Sequence, residues 1–255
     1  MKKQIPNLFT LLNLFFGCCA IVAVMYQGVT VVSDEGGEHW LMLPETVWMA
    51  SLFIGLAAVV DFLDGFLARA LKQSSEMGKQ LDSLSDVVSF GVAPSLIIFH
   101  FLQLSIARQE NGLNASWLWM APAFLIAMAA AWRLARFNIS PEDQEGFTGV
   151  PAPAAGLLIA SFPLIYWYAS SPILLEVLQT TWFWYALIVL VGCLMISRLP
   201  LLAFKFKKGD ARLRLPLLVL FITALLGGLL LKWLAVPLVF ILYILLSLFY
   251  KKRKQ

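Results

Sequence analysis

The chain has 255 residues, 60% of them hydrophobic and 13% charged, with a formal net charge of +4 and a mean hydropathy of +0.82. Soluble domains carry about 25% charged residues, so this composition excludes an ordinary soluble globule and predicts a single membrane-embedded, all-α domain, a polytopic transmembrane helix bundle. Cys18, Cys19 and Cys193 all lie in apolar runs, which excludes a disulfide framework or a zinc pattern and predicts small buried residues.

A membrane-spanning helix needs about 20 mostly apolar residues. In chain order the candidates are residues 8–32, 46–68, 83–104, 116–137, 151–170, 181–199, 213–231 and 233–250, giving six to eight spans. The first continues well past Cys18, longer than the roughly 7–15 apolar residues of a signal peptide, and is expected to stay as a helix. The last two are separated only by Lys232 and Trp233, so they form either a tight helical hairpin or one re-entrant element. No internal repeat interrupts this order.

Charge tests the threading independently. With eight alternating spans, every Lys and Arg except Arg108 and Lys232 falls on the side of Met1. An excess of Lys and Arg marks cytoplasmic loops, which predicts cytoplasmic termini and a protein of the cell membrane. The loop at residues 33–40 is acidic and falls outside. The positive balance reads as orientation and attraction to anionic membrane lipids, with no nucleic acid expected as partner.

Against this apolar background, Asp61, Asp64, Asp82 and Asp86 stand where two apolar helices meet the cytoplasmic loop between them. Carboxylates at a membrane border are costly and usually have a function. Asp61 and Asp64 are three apart and Asp82 and Asp86 four apart, so each pair shares a helix face. Two antiparallel neighbours bring the pairs together, and four carboxylates in one space repel unless cations neutralise them. Oxygen ligands with no His or Cys beside them suit hard divalent ions. Two such ions would form the clamp used in phosphoryl transfer. His39 and His100 have no partners nearby in sequence and are not metal candidates. The small residues Gly65, Ala68 and Gly78 allow close approach of a backbone or flat ligand, and Arg69 can pair with phosphate or aspartate.

The run Asp61-x2-Asp64-Gly65-x2-Ala68-Arg69-x8-Gly78-x3-Asp82-x3-Asp86 resembles the signature of the CDP-alcohol phosphotransferases without departure. The resemblance implies an enzyme that moves a phosphatidyl-type group from a CDP-linked donor to an alcohol and releases CMP. It also implies a homodimer, two divalent cations (Mg²⁺ or Mn²⁺) on Asp61, Asp64, Asp82 and Asp86, and catalysis at Asp86 and Asp82, with Asp86 as base. Gly65, Ala68, Arg69 and Gly78 would receive the donor nucleotide and phosphates.

Outside that core, "IPNLFTLLNLFFG", "DSLSDVVSFGVAPS", "AAWRLARFNIS" and "FTGVPAPAAG" resemble the phosphatidylserine synthase branch of the family, extending the resemblance over about residues 5–156. Residues 157–255 then supply additional helices. The implied substrates are CDP-diacylglycerol and L-serine. Other acceptors of the same chemistry are inositol phosphate, glycerol phosphate or an amino alcohol, and an ion pathway built on the carboxylates is the reading from another class. Arg133 and Arg136, three apart on one face with Asn138 beyond, can fork a serine carboxylate or simply anchor the helix. Asn7, Thr10 and Asn13 recur on one face of the first span; Asn7 and Thr10 are candidates for donor binding, and interhelical hydrogen bonding accounts for the same spacing.

Overall fold

The computed structural model describes residues 5–26, 28, 30–33, 39–70, 75–109, 112–139, 147–168, 171–201 and 211–251. Among these, ten α-helices dominate. Helix α1 (Ile5–Met25) and α2 (Thr46–Ala70) are joined across the hairpin of β1 (Thr30–Ser33) and β2 (His39–Met42). Next come α3 (Glu76–Asp86), a π-helical stretch (Val87–Val92) and α4 (Ala93–Ala107). After short 3₁₀ turns follow α5 (Leu125–Ile139), α6 (Ala152–Tyr168), α7 (Pro172–Leu178), α8 (Thr181–Ile196), α9 (Ala211–Leu231) and α10 (Ala235–Lys251). A second small pairing joins β3 (Phe147–Thr148) to β4 (Pro200–Leu201).

Among the described residues, five helical stretches are long and apolar enough to cross a membrane: Asn7–Met25, Thr46–Leu67, Glu76–Ala107, Trp117–Ile139 and Pro216–Phe249. The pair α7–α8, bent by 70°, makes a sixth. Helix α6 is apolar but shorter. The stretch Pro216–Phe249 doubles back at Lys232, which takes a φ of 52°. A Cβ added to Gly227 would lie 3.1 Å from that of Ala235, so the chain turns sharply between the last two apolar runs, as both a tight hairpin and a re-entrant element would.

Two expectations are corrected. The first helix ends at Met25 rather than near residue 32, because Thr30–Ser33 leaves the helix to pair with His39–Met42; a run of β-branched residues suits a strand. Cys18 and Cys193 are exposed and Cys19 is only half-buried. In a bilayer the outer face is apolar too, so an apolar run does not by itself bury its cysteines. The acidic loop read between the first two spans falls largely on residues 34–38, outside the described residues.

Small side chains bring α1 and α2 together: Ala20, Ala23, Ala50 and Ala57 are all buried between them, the usual way membrane helices gain van der Waals contact. Deeper in the bundle, Phe101 of α4 stacks on Trp184 of α8 with centroids 4.4 Å apart. The Trp184 indole donates to the Leu178 carbonyl (2.8 Å), fastening the α7–α8 bend.

The π-helical stretch is where the helices converge. Ser89 faces Gly17 of α1 so closely that any side chain at Gly17 would strike its hydroxyl. Gly91 faces α5, where an added Cβ would sit 3.1 Å from that of Ala130. Phe90 faces Gly156 of α6, with an added Cβ 3.0 Å from its Cα. The Ser95 hydroxyl donates to the Gly91 carbonyl (2.8 Å) and accepts from the Ala127 N–H (3.1 Å), satisfying a donor in the first turn of α5 that has no helical partner. Three helices are thus held against the segment that begins one residue after Asp86, and π-helical turns are frequent at functional sites.

Candidate active site

Helix α2 carries Asp61 and Asp64 near its end, and α3 carries Asp82 and Asp86. Ser75 caps α3: its hydroxyl accepts from the Gly78 N–H at 3.0 Å, fixing where the helix starts and hence where its aspartates point. The carboxylate oxygens of Asp61, Asp82 and Asp86 lie within 4.8 Å of one another. Asp86 is buried, while Asp61 and Asp82 are partly so. Asp64, buried on the same face of α2, accepts a short hydrogen bond from the Thr10 hydroxyl.

Helix α1 sets these carboxylates through a repeating pattern. Thr10 binds Asp64, and one turn later the Asn13 amide nitrogen donates to Asp86 Oδ1 at 3.2 Å. The backbone carbonyls of the same two residues accept from Ser85 (3.1 Å) and Ser89 (3.0 Å) of the π-extended helix. Side chain and main chain of two α1 positions thus each hold an element that carries a carboxylate. Asn7, a turn earlier, has its amide oxygen 3.0 Å from where a Cβ on Gly78 would stand. Gly65 borders open space. Ala68 and Arg69 continue α2, with side chains outside the described residues.

The basic residues of α5 have different surroundings. Arg133 is buried (6% exposed), lies within electrostatic reach of Asp86, and its Nε has no hydrogen-bond partner among the described residues. The Arg136 guanidinium instead donates to the carbonyls of Ile196 (2.7 Å) and Ser197 (3.1 Å) at the end of α8. The Asn138 amide donates to Ser83 of α3 (2.8 Å), and its carbonyl accepts from Lys79 (3.2 Å).

Sequence reasoning placed Asn13 on the polar face of α1 without attaching it to Asp86, and missed Ser85 and Ser89. Their signal is present: serines at the four-residue spacing of Asp82 and Asp86, one helix face apart from them.

Three carboxylates so close repel one another, and although the Asn13 amide and the Arg133 charge relieve Asp86 in part, the all-oxygen set also fits a hard divalent cation. A divalent cation held on this cluster would neutralise a phosphate-rich ligand, and a neighbouring carboxylate could accept a proton beside it.

The family model described as CDP-alcohol phosphatidyltransferase matches residues 3–192. A CDP-diacylglycerol–serine O-phosphatidyltransferase of Helicobacter pylori is 36% identical over 228 residues, covering 86% of this chain and 80% of that one. The enzyme of the same name from Bacillus subtilis is 30% identical over 175 residues, 69% of this chain and 81% of its own. An archaetidylserine synthase of Methanothermobacter thermautotrophicus is 38% identical over 122 residues, about half of each chain.

Proposed function

Because the chain belongs to the CDP-alcohol phosphatidyltransferase family, we propose that it is the enzyme that transfers the phosphatidyl group of CDP-diacylglycerol to the hydroxyl of L-serine and releases CMP. The observation that carries this reading is the convergence of Asp61, Asp82 and Asp86 within 4.8 Å, at the spacing that the family signature requires.

Asp86 takes the proton of the serine hydroxyl. The freed oxygen bonds to the phosphorus that carries the diacylglycerol, and the bond from that phosphorus to the CMP oxygen breaks, its electron pair leaving with CMP. Two divalent cations, Mg²⁺ or Mn²⁺, held by Asp61, Asp64, Asp82 and Asp86, would offset the charge on the phosphates and the leaving group. The rest of the work is positioning. Asn7, Thr10, Gly65, Ala68, Arg69 and Gly78 receive the donor head: the open space at Gly65 and the tight approach of Asn7 to Gly78 support this reading. Arg133, buried beside Asp86, receives the serine carboxylate. Arg136 and Asn138, bonded to α8 and α3, hold the end of α5 that presents it. The donor tails stay in lipid against apolar faces such as the cavity of about 650 Å³ between α6 and the α9–α10 pair, lined by Ala154, Phe221 and Phe240.

On this reading the enzyme sits in the cell membrane with its site toward the cytoplasm, supported by the one-sided distribution of Lys and Arg, and the family resemblance supports a homodimer. The experiment is release of CMP from CDP-diacylglycerol by the purified protein in detergent micelles. Release is expected only with L-serine and a divalent cation together. Release that is driven by glycerol phosphate or inositol phosphate and indifferent to serine would replace the acceptor and keep the chemistry.

A further inference from the structure

Among the described residues, two buried polar atoms on helices packed against the one that Asp86 ends have no hydrogen-bond partner. Asn13 has no exposed surface; its amide nitrogen is committed to Asp86, and its amide oxygen has no partner. Only the nitrogen of an amide can donate to a carboxylate, so the chemistry fixes which end is left over. Arg133 is 6% exposed, and its Nε is likewise without a partner. Buried groups are rarely left so, because an unsatisfied donor or acceptor keeps its full desolvation cost. Asp86 ends a helix that packs against both α1, which carries Asn13, and α5, which carries Arg133.

One orphan is an acceptor and the other a cationic donor. A ligand that satisfies both must bring an N–H donor to Asn13 and an anionic acceptor to Arg133, with its reacting group at the carboxylate of Asp86. We infer that Asn13 and Arg133 form the two arms of an acceptor subsite for a β-hydroxy α-amino acid, Asn13 Oδ1 accepting from the ammonium and Arg133 donating to the carboxylate. The inference rests on the proposed transfer reaction and adds Asn13 as a specificity-determining residue. An amide suits that place better than a carboxylate would. It receives an ammonium while adding no negative charge to a cluster that already holds Asp61, Asp82 and Asp86.

The test uses the full-length protein in micelles, with CDP-diacylglycerol saturating, and reads KM for L-serine together with inhibition constants for two fragments of it. Ethanolamine keeps the ammonium and lacks the carboxylate; 3-hydroxypropanoate keeps the carboxylate and lacks the ammonium. Asn13→Leu is expected to raise KM for serine about tenfold or more, the loss of a hydrogen bond to a charged group, and to leave inhibition by 3-hydroxypropanoate within about twofold of wild type. Arg133→Leu is expected to raise it similarly and to spare ethanolamine. Asn13→Asp, of the same size and still an acceptor, is expected to keep the preference of serine over 3-hydroxypropanoate. CMP binding by each variant, measured by calorimetry, reports that the donor site is folded.

If Asn13→Leu weakens serine and both fragments by one common factor, Asn13 only positions Asp86 and the inference is overturned. A shift in the Mg²⁺ requirement with no change in KM for serine overturns it as well, making Asn13 a cation ligand. An unchanged KM for serine, or loss of the preference in Asn13→Asp, does the same. Wild-type protein that releases CMP with another alcohol and never with serine would instead remove the underlying reaction, an outcome visible before any variant is made.

Discussion

The Thr10 hydroxyl of α1 donates to the carboxylate of Asp64 on α2, 54 positions away in sequence, while the Thr10 carbonyl accepts from Ser85 on α3. One residue thus ties the two helices that bear the aspartates. Thr10→Val keeps the shape of the side chain and removes the donor, leaving a buried acceptor unmatched at a cost of about 1–3 kcal/mol. Thr10→Ser keeps the donor and is expected to lose only the buried methyl group, about 0.8 kcal/mol. Unfolding by denaturant in micelles, followed by tryptophan fluorescence, reads both values; equal stability of the two variants would remove the tie.

Close approach at the π-helical stretch makes a contrasting pair. A Cβ at Gly17 would strike the Ser89 hydroxyl and stand 3.0 Å from the Ser89 backbone. Gly17→Ala therefore forces α1 and the π stretch apart, and overpacking of this kind costs about 1–3 kcal/mol. Because Ser89 is three residues from Asp86, CMP release is expected to fall with it. Gly192 of α8 is also buried but has nothing within 4 Å of an added Cβ, so Gly192→Ala is expected to be neutral or to gain about 0.5–1 kcal/mol of helix stability. Thermal unfolding of the pair in one detergent separates the two cases.

What the sequence made legible follows from local periodicity. Asp61 with Asp64, and Asp82 with Asp86, share helix faces by spacing alone, and the cluster at 4.8 Å is what two neighbouring helices make of that pattern. The polar spacing of Asn7, Thr10 and Asn13 was equally legible, but which helix each residue meets depends on the lateral order of the bundle, and spacing does not contain it. The π-helical stretch left no signal because its residues, VVSFGV, are as apolar as those of α4, the helix it leads into. Apolarity carries the first span to about residue 32, over most of the strand Thr30–Ser33, because length and apolarity cannot separate a span from a span followed by a hairpin. Arg136 resembled Arg133 in sequence, yet its partners, Ile196 and Ser197, lie about 60 residues on.

Asp86→Asn removes the proposed base while preserving the shape of the side chain to which Asn13 donates. A general base contributes about 10²–10⁴-fold to rate, so turnover is expected to fall by at least the lower figure. Binding of CDP-diacylglycerol, measured with a radiolabelled donor, is expected to survive, since the proposed donor-head residues lie on α1, α2 and the start of α3. A variant that turns over normally removes Asp86 as base.

The cation requirement has its own signature. Chelation with EDTA is expected to stop CMP release, and Mg²⁺ or Mn²⁺ to restore it. Asp61→Asn is expected to raise the cation concentration for half-maximal rate by more than about tenfold, a loss already typical for residues that only orient metal ligands. Titration of the rate with Mg²⁺ reads the shift. Activity that persists in EDTA would leave the three carboxylates without the role their proximity implies.

Arg133 and Arg136 allow a separation that the sequence could not make. Both guanidinium groups leave α5 near its end, but Arg136 is committed to two carbonyls at the end of α8, and Arg133 is buried beside Asp86. Arg136→Ala frees those carbonyls and is expected to lower stability by about 1–2 kcal/mol, with KM for serine within about threefold of wild type if no acceptor group binds there. Arg136→Lys recovers only part of the loss, because an ammonium cannot fork two carbonyls as a planar guanidinium does. Arg133→Ala is expected to have the opposite profile, since its Nε bonds no group among the described residues: KM for serine rises about tenfold or more with a smaller change in stability. Thermal unfolding and steady-state kinetics on the same preparations give both axes. Should Arg136→Ala raise KM for serine as far as Arg133→Ala while leaving stability untouched, the two arginines would share the carboxylate, and the hold on α8 would be incidental.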